Sequence, residues 1–168
     1  MPDAPGLELI RSDIEQSLPG AVLDTSFDRE QPALVVDPAK VLDVLRWLHD
    51  TPGQEYTFLS SLHAADYLPA SPRFAVHYEL LNRDRVERIR VKAPLEDPGP
   101  EIDSCVGLFP TANFQEREVF DFFGIVFRGH PNLTRILLPE DYVGWPLRRD
   151  FPIGGEPVTF TYNERNHG

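Results

Sequence analysis

Arg73-Phe74-Ala75-Val76-His77-Tyr78-Glu79-Leu80 and, after a short polar connection, Arg85-Val86-Glu87-Arg88-Ile89-Arg90-Val91-Lys92 decide the fold. In the first run Phe74, Val76, Tyr78 and Leu80 alternate with Arg73, His77 and Glu79. In the second, Ile89 and Val91 alternate with Arg88, Arg90 and Lys92. A period of two puts one set on a buried face of a sheet and the other on a solvent face. The connection Asn82-Arg83-Asp84 is short, which predicts an antiparallel hairpin.

Upstream, Tyr56 to Leu62 reads as a third strand, and Ala21 to Phe27 and Ala33 to Val36 as two more around an acidic turn. Leu7, Ile10, Ile14 and Leu18 have helical spacing, and Pro19-Gly20 stops that helix. Asp37-Pro38 starts a second helix, with Val41, Leu42, Leu45 and Leu48 as its buried face and Pro52-Gly53 as its end. This order predicts an α+β fold of two layers, with helices packed on one face of a largely antiparallel or mixed sheet and an extended C-terminal tail. Residues 1–128 are expected to form the core domain. It ends in a short helix that Asn113 opens, with Glu116 completing a capping box, and that Gly124 closes in the left-handed conformation. Residues 129–168 are expected to be an extended partner-binding segment. Nine of the 17 prolines lie in residues 94–168, and so proline-rich a stretch buries little of itself and is expected to be ordered by a partner.

At 168 residues and 41% hydrophobic composition the chain is one domain's worth, long enough to bury a core. The formal charge of −11 argues against nucleic acid and against direct contact with anionic lipid. The charge is uneven. Residues 1–110 carry 19 acids against 10 bases, and residues 111–168 carry 8 against 6, so the nearly balanced part is the one suited to meeting another protein. Nothing is apolar for long enough to span a bilayer, and the N-terminal residues do not read as a secretory signal, so residence in the cytosol is the expectation.

Candidate chemistry is thin. Cys105 is a single cysteine, unable to form an internal disulfide or supply a cluster's thiolates, and reads as a small buried hydrophobe. The five histidines show no metal-ligand spacing; His63, Asp66 and His77 could converge as a metal site, the basis for a free-standing metal hydrolase as an out-of-class alternative. Parity explains His77 without a metal, as a residue of a solvent-facing sheet surface, and that reading is preferred. His130, between Gly129 and Pro131, reads as a turn residue holding carbonyls. Glu118 and Asp121 sit three apart on a short helix, with Arg117 four before Asp121 as an expected internal ion pair. Arg148 and Arg149 are paired forks between Pro146 and Pro152, suited to carboxylates on a partner. There is no GxGxxG after a strand, no P-loop, no nucleophile elbow and no CxxC.

The stretch from Phe114 to Pro152 settles more than its chemistry does. It contains Glu116-Arg117-Glu118, Phe120-Asp121-Phe122-Phe123-Gly124, Gly129-His130-Pro131, Arg135-Ile136-Leu137, Pro139-Glu140-Asp141 and Gly144-Trp145-Pro146-Leu147-Arg148-Arg149-Asp150-Phe151-Pro152. In order and spacing it resembles the signature of the C (30 kDa) subunit family of the proton-translocating NADH:quinone oxidoreductase, respiratory complex I. Phe58 to Leu62 with Asp66-Tyr67, and Arg73-Phe74 through Leu80-Leu81, resemble the family's weaker core pattern. Phe109 and Phe114 stand where tryptophans are usual, Arg149 where Lys is common, and Trp145 where His or another aromatic is frequent.

The resemblance implies a non-catalytic structural subunit of an enzyme complex's hydrophilic arm, with no catalytic residues. FMN, iron–sulfur clusters, NADH and quinone are then bound elsewhere in the complex. It implies docking on the D (quinone-site) subunit, near the cluster-bearing subunits, and a peripheral place on the cytoplasmic side of the cell membrane, held only through the complex. The implied interface is Glu116, Arg117, Glu118, Asp121, Gly124, Gly129, His130, Pro131, Arg135, Pro139, Glu140, Asp141, Pro146, Leu147, Arg148, Arg149 and Asp150. The alternative within the same architecture is the equivalent subunit of a ferredoxin- or deazaflavin-linked quinone reductase or of a membrane-bound hydrogenase.

Overall fold

Asp3 opens the first helix, α1 (Ala4–Ser17): its side chain accepts the Gly6 N–H at 2.8 Å, and Pro5 sits in the first turn, where a missing N–H costs little. The cap explains why α1 begins before the apolar spacing does. The structure is a computed structural model and describes residues 2–29 and 31–152. Strands β1 (Val22–Asp28) and β2 (Gln31–Val36) follow, then a 3-10 turn (Pro38–Lys40) capped by Asp37, which accepts the Ala39 N–H at 2.9 Å. Helix α2 (Val41–Asp50) buries Val41, Val44, Leu45 and Leu48, the i, i+3, i+4, i+7 stripe. Val44 therefore takes the fully buried place expected for Leu42, which is only partly covered.

Strands β3 (Phe58–Asp66), β4 (Phe74–Asn82) and β5 (Glu87–Leu95) complete a five-stranded sheet in the order β1-β2-β5-β4-β3. Neighbours are antiparallel except β2 and β5, so the sheet is mixed. The expected β4–β5 hairpin is present, with Leu80 opposite Ile89 and Tyr78 opposite Val91. Leu59, Leu62, Val76, Tyr78, Leu80, Ile89, Val91, Leu34 and Val36 form one cluster with the buried residues of α1, α2 and the third helix. The two-layer α+β expectation, with the helices on one sheet face, is borne out.

Two features differ from the sequence reading. A parallel pair, β6 (Glu101–Asp103) with β7 (Val126–Arg128), leaves no mark in the sequence, because three residues are too few for a period to register. Helix α3 (Ala112–Phe123) begins at Ala112, with Thr111 at the cap position and no capping side chain; the capping box at Asn113 and Glu116 is not formed, and Glu116 turns into the interior instead. Residues 129–152 form neither helix nor strand.

Gly124 closes α3 as expected, at φ +69. A Cβ there would overlap the Trp145 indole, so the position is closed to other residues by conformation and by contact. Gly124→Ala is expected to destabilise the chain by about 2–4 kcal/mol, the left-handed penalty plus overpacking. Denaturant unfolding followed by Trp fluorescence checks this, and an unchanged midpoint contradicts the Trp145 seat.

Candidate functional site

Asp121 holds the C-terminal segment to the core. It lies on α3, its side chain is fully buried, and one oxygen meets Arg135 Nη1 at 2.7 Å. The other accepts three successive backbone N–H groups, those of Ile136, Leu137 and Leu138, at 3.0, 2.8 and 3.0 Å. Burial by itself disfavours the charge, but these N–H donors and the guanidinium outweigh it and hold the carboxyl at about 2. Arg135 also donates to the carbonyls of Asp121, Tyr142 and Gly144, tying three points of the segment, residues 135, 142 and 144, to α3. The intrahelical pair expected between Arg117 and Asp121 is absent among the described residues. Arg117 donates instead to the Thr134 carbonyl and hydroxyl and the Arg135 carbonyl, so it binds the same segment from outside. Glu118, three residues before Asp121, is exposed, and the two do not share a site.

A second node sits where the segment crosses the sheet. Arg73, buried just before β4, meets Asp66 at 2.9 Å, Asp97 at 3.0 Å and Asp150 at 2.7 Å. Burial of Asp66 opposes its charge, yet Arg73 and the N–H groups of Arg149 and Leu68 bring its carboxyl to about 2. Arg148 donates to the Phe123 carbonyl at 2.7 Å and lies over the Trp145 and Phe74 rings; desolvation lowers its pKa. Arg149 donates to the Leu68 carbonyl at 2.6 Å. Both forks expected to face a partner are thus engaged by groups of this chain.

The third cluster is wholly interior. Glu116 accepts the Ser104 hydroxyl at 2.6 Å and the Cys105 N–H at 2.8 Å, and burial pushes its pKa up. His130 Nδ1 accepts the Asn132 N–H at 3.0 Å, so its Nε2 carries the proton and donates to the Asn113 carbonyl at 3.1 Å; Nε2 stands 4.0 Å from Glu116. Cys105 is buried and its thiol is pushed well up, by desolvation first and then by Glu116.

The residues proposed from sequence therefore sort by exposure. Glu116, Asp121 and Gly124 are buried; Arg117, His130, Arg135, Pro146 and Arg148 are half-buried; Glu118, Gly129, Pro131, Pro139, Glu140, Asp141, Leu147, Arg149 and Asp150 are exposed. Leu137 and Val143, which the implied interface did not include, are 63% and 87% exposed, and Leu147 is 55% exposed; long apolar side chains on so tightly tied a segment are the signal that was missed.

His63, Asp66 and His77 do not come together as a metal site. Asp66 is spent on Arg73, while His77 stacks on His63 at 5.1 Å and is buried, not on a solvent face as expected; burial and the neighbouring His63 drive its pKa down to about 3. Among the described residues no three His, Cys, Asp or Glu side chains are grouped to hold a metal ion.

A two-layer α+β domain with a glycine-, proline- and arginine-rich segment latched across it matches known proteins. Residues 34–157 match the family described as "Respiratory-chain NADH dehydrogenase, 30 Kd subunit", and the chain belongs to that family. A relative from Roseiflexus sp. (strain RS-1), the C subunit of an NADH-quinone oxidoreductase, is 44% identical over 151 residues, covering 90% of this chain and 87% of the relative. The solved trypsin-resistant fragment (1-134) of Nqo5 superposes with a TM-score of 0.64 at 27% identity, covering 76% of this chain and 98% of the fragment. The membrane-bound sulfane sulfur reductase, an archaeal respiratory membrane complex, contains a chain with TM-score 0.70 at 25% identity, covering 87% of this chain and 85% of that one.

Removing Asp121 leaves Arg135 half-buried without its carboxylate and orphans three N–H groups, so Asp121→Ala is expected to cost about 3–5 kcal/mol. Urea titration reads it; a loss below about 1 kcal/mol contradicts the latch.

Stability also depends on pH in two opposed ways. Asp66 and Asp121 have folded pKa values below the unfolded ones, so each stabilises by about 2 kcal/mol above pH ~4 and loses this as pH falls toward 2. Glu116 has a raised folded pKa, so taking up its proton on the way down from neutrality stabilises the fold. His77, whose folded pKa lies at about 3, and His63, also lowered by burial, act against Glu116, because the unfolded chain takes up their protons first as pH falls below 6.5. The urea midpoint is therefore expected to fall from neutrality into acid, and Glu116→Gln to make that fall steeper in mild acid; an identical slope in the variant rules the Glu116 part out.

Proposed function

We propose that this chain is a non-catalytic structural subunit of the hydrophilic arm of an NADH:quinone oxidoreductase. In this reading residues 1–128 are the core domain and residues 129–168 the partner-binding segment, of which residues 153–168 lie outside the described residues. The segment docks on the D (quinone-site) subunit, near the cluster-bearing subunits. The chain thereby supports electron transfer from NADH to quinone coupled to proton translocation. FMN, the iron–sulfur clusters, NADH and quinone belong to other subunits. The chain sits on the cytoplasmic side of the membrane and meets it only through the complex; among the described residues no helix is long and apolar enough to cross a membrane.

One observation carries the reading. The segment with the family signature is braced from within by Asp121, Arg73 and Arg148, yet presents Leu137, Val143 and Leu147 to solvent. A braced apolar surface loses little conformational entropy on binding, which favours docking. The buried members of the proposed interface then act by shaping the segment, and the exposed ones, with these three apolar side chains, by touching the partner.

A second reading has its own support. The likeness to a chain of the sulfane sulfur reductase, at a TM-score of 0.70, supports the equivalent subunit of a related respiratory complex as the alternative. Co-purification of NADH- and flavin-binding subunits with this chain separates the two readings.

The docking test is Leu137→Ser with Val143→Ser and Leu147→Ser, all exposed in the chain alone. The isolated chain should melt within about 0.5 kcal/mol of the original. Retention in the purified complex should fall, since losing about 2 kcal/mol or more of apolar burial weakens binding some 30-fold. Full assembly and normal quinone reductase activity of the triple variant would refute docking through this surface.

A further inference from the structure

The sheet face turned away from the helices carries its own pattern. Strand register aligns Ser61, Glu79, Arg90 and Ala33 in one row across β3, β4, β5 and β2, and His63, His77, Lys92 and Val35 in the next. None of these side chains belongs to the hydrophobic cluster that the three helices cover. At one end the face is closed. Tyr67 lies with its hydroxyl 3.1 Å from His77 Nε2, and Lys92 Nζ is 4.5 Å from the Tyr67 ring centroid. At the other end is an open depression of about 530 Å³, lined by Gln31, Ser60, Ser61, Glu79, Arg88 and Arg90 among others.

The charge of this end is opposite to that of the chain. The depression is lined by Arg88 and Arg90 against the single carboxylate Glu79, on a chain of formal charge −11. Glu79 is already neutralised by Arg90, whose Nε–H it accepts. One terminal nitrogen of Arg90 reaches Gln31 at 3.3 Å, and among the described residues the other has no partner. Arg88 is exposed and has no ion pair among the described residues, whereas Arg85 meets Glu87 and Arg128 meets Glu101 and Asp103. Two residues apart on one strand, Arg88 and Arg90 project from the same face about 7 Å from each other. Like charges held this close over a concave floor raise the local potential and attract an anionic group of matching spacing.

We propose that this depression is a second docking surface, separate from the C-terminal segment, and that it receives an acidic segment of a neighbouring subunit whose carboxylates meet Arg88 and the free nitrogen of Arg90. The proposal rests on the chain's assignment to a multisubunit complex. A partly desolvated guanidinium–carboxylate pair at such a site sets orientation and rate of docking more than bulk affinity, so its signature is salt dependence.

The experiment purifies the whole complex carrying Arg88→Glu, Arg88→Lys or the original residue at rising NaCl, with melting of each isolated subunit measured alongside. Arg88→Glu should release this chain from the complex at salt that leaves the original intact, with binding weaker on the order of tenfold. Arg88→Lys should be retained nearly as well as the original, and melting should be the same for all three. Equal retention of Arg88→Glu across the salt series overturns the proposal and leaves the family assignment untouched; failure of the original chain to co-purify at any salt instead removes the assignment beneath it. Lowered melting of Arg88→Glu means an internal role and also overturns it. Release by inorganic phosphate beyond that by chloride of equal ionic strength means a small-anion site and counts against a protein segment.

Discussion

A single buried carboxylate organises the part of this protein that carries the family signature. Asp121 has no water to solvate it, so its charge survives only because four donors converge on it: the Arg135 guanidinium and the N–H groups of residues 136–138. Each of those donors lies on a chain stretch without helix or strand, whose backbone groups would otherwise lack partners. The carboxylate thus substitutes for the hydrogen-bond ladder that the stretch does not have. Arg135 then passes the constraint on to Tyr142 and Gly144 through their carbonyls. The helix supplies rigidity, and one side chain exports it to residues 135–144.

The remaining anchors follow the same logic with different chemistry. Arg73 gathers Asp66, Asp97 and Asp150 from three separate parts of the chain, so one buried cation fixes the crossing point of the segment on the sheet. Arg148 contributes a carbonyl bond and two aromatic faces, and Trp145 occupies the space that Gly124 leaves open. Buried ion pairs of this kind are weak evidence for net stability, because desolvation offsets much of their attraction. Their effect is specificity: each has one geometry, and together they leave the segment one path across the core.

Periodicity made the sheet legible from sequence, and punctuation made the helix ends legible. Phe74 to Leu80 and Ile89 to Val91 alternate because one face is buried, and Asp37-Pro38 and Gly124 mark ends through local backbone chemistry that needs no distant partner. What could not be read is contact between residues far apart in the chain. Glu116 has the spacing of a capping residue, and only the fold reveals Ser104, Cys105 and His130 around it. Arg148 and Arg149 look unpartnered in a linear reading, because Phe123 and Leu68, whose carbonyls they take, are 25 and 81 residues away. His77 has the parity of a solvent position and is buried by its neighbours His63 and Tyr67.

Burial also separates two kinds of residue within the signature. A motif rich in charge invites the inference that its charges face a partner, yet its buried charges, Glu116 and Asp121, face inward and its half-buried arginines end on the chain's own carbonyls. An interface needs a shape as well as contacts, and a stretch of loop holds a shape only if its polar groups are satisfied internally. Under the proposed docking, substituting Asp121 or Arg135 would disturb binding by releasing the surface rather than by removing a contact, whereas substituting Leu137 or Val143 would remove contact and leave the surface in place. Residues that build the segment and residues that use it are interleaved along the chain, so a linear motif cannot distinguish them, whereas burial can.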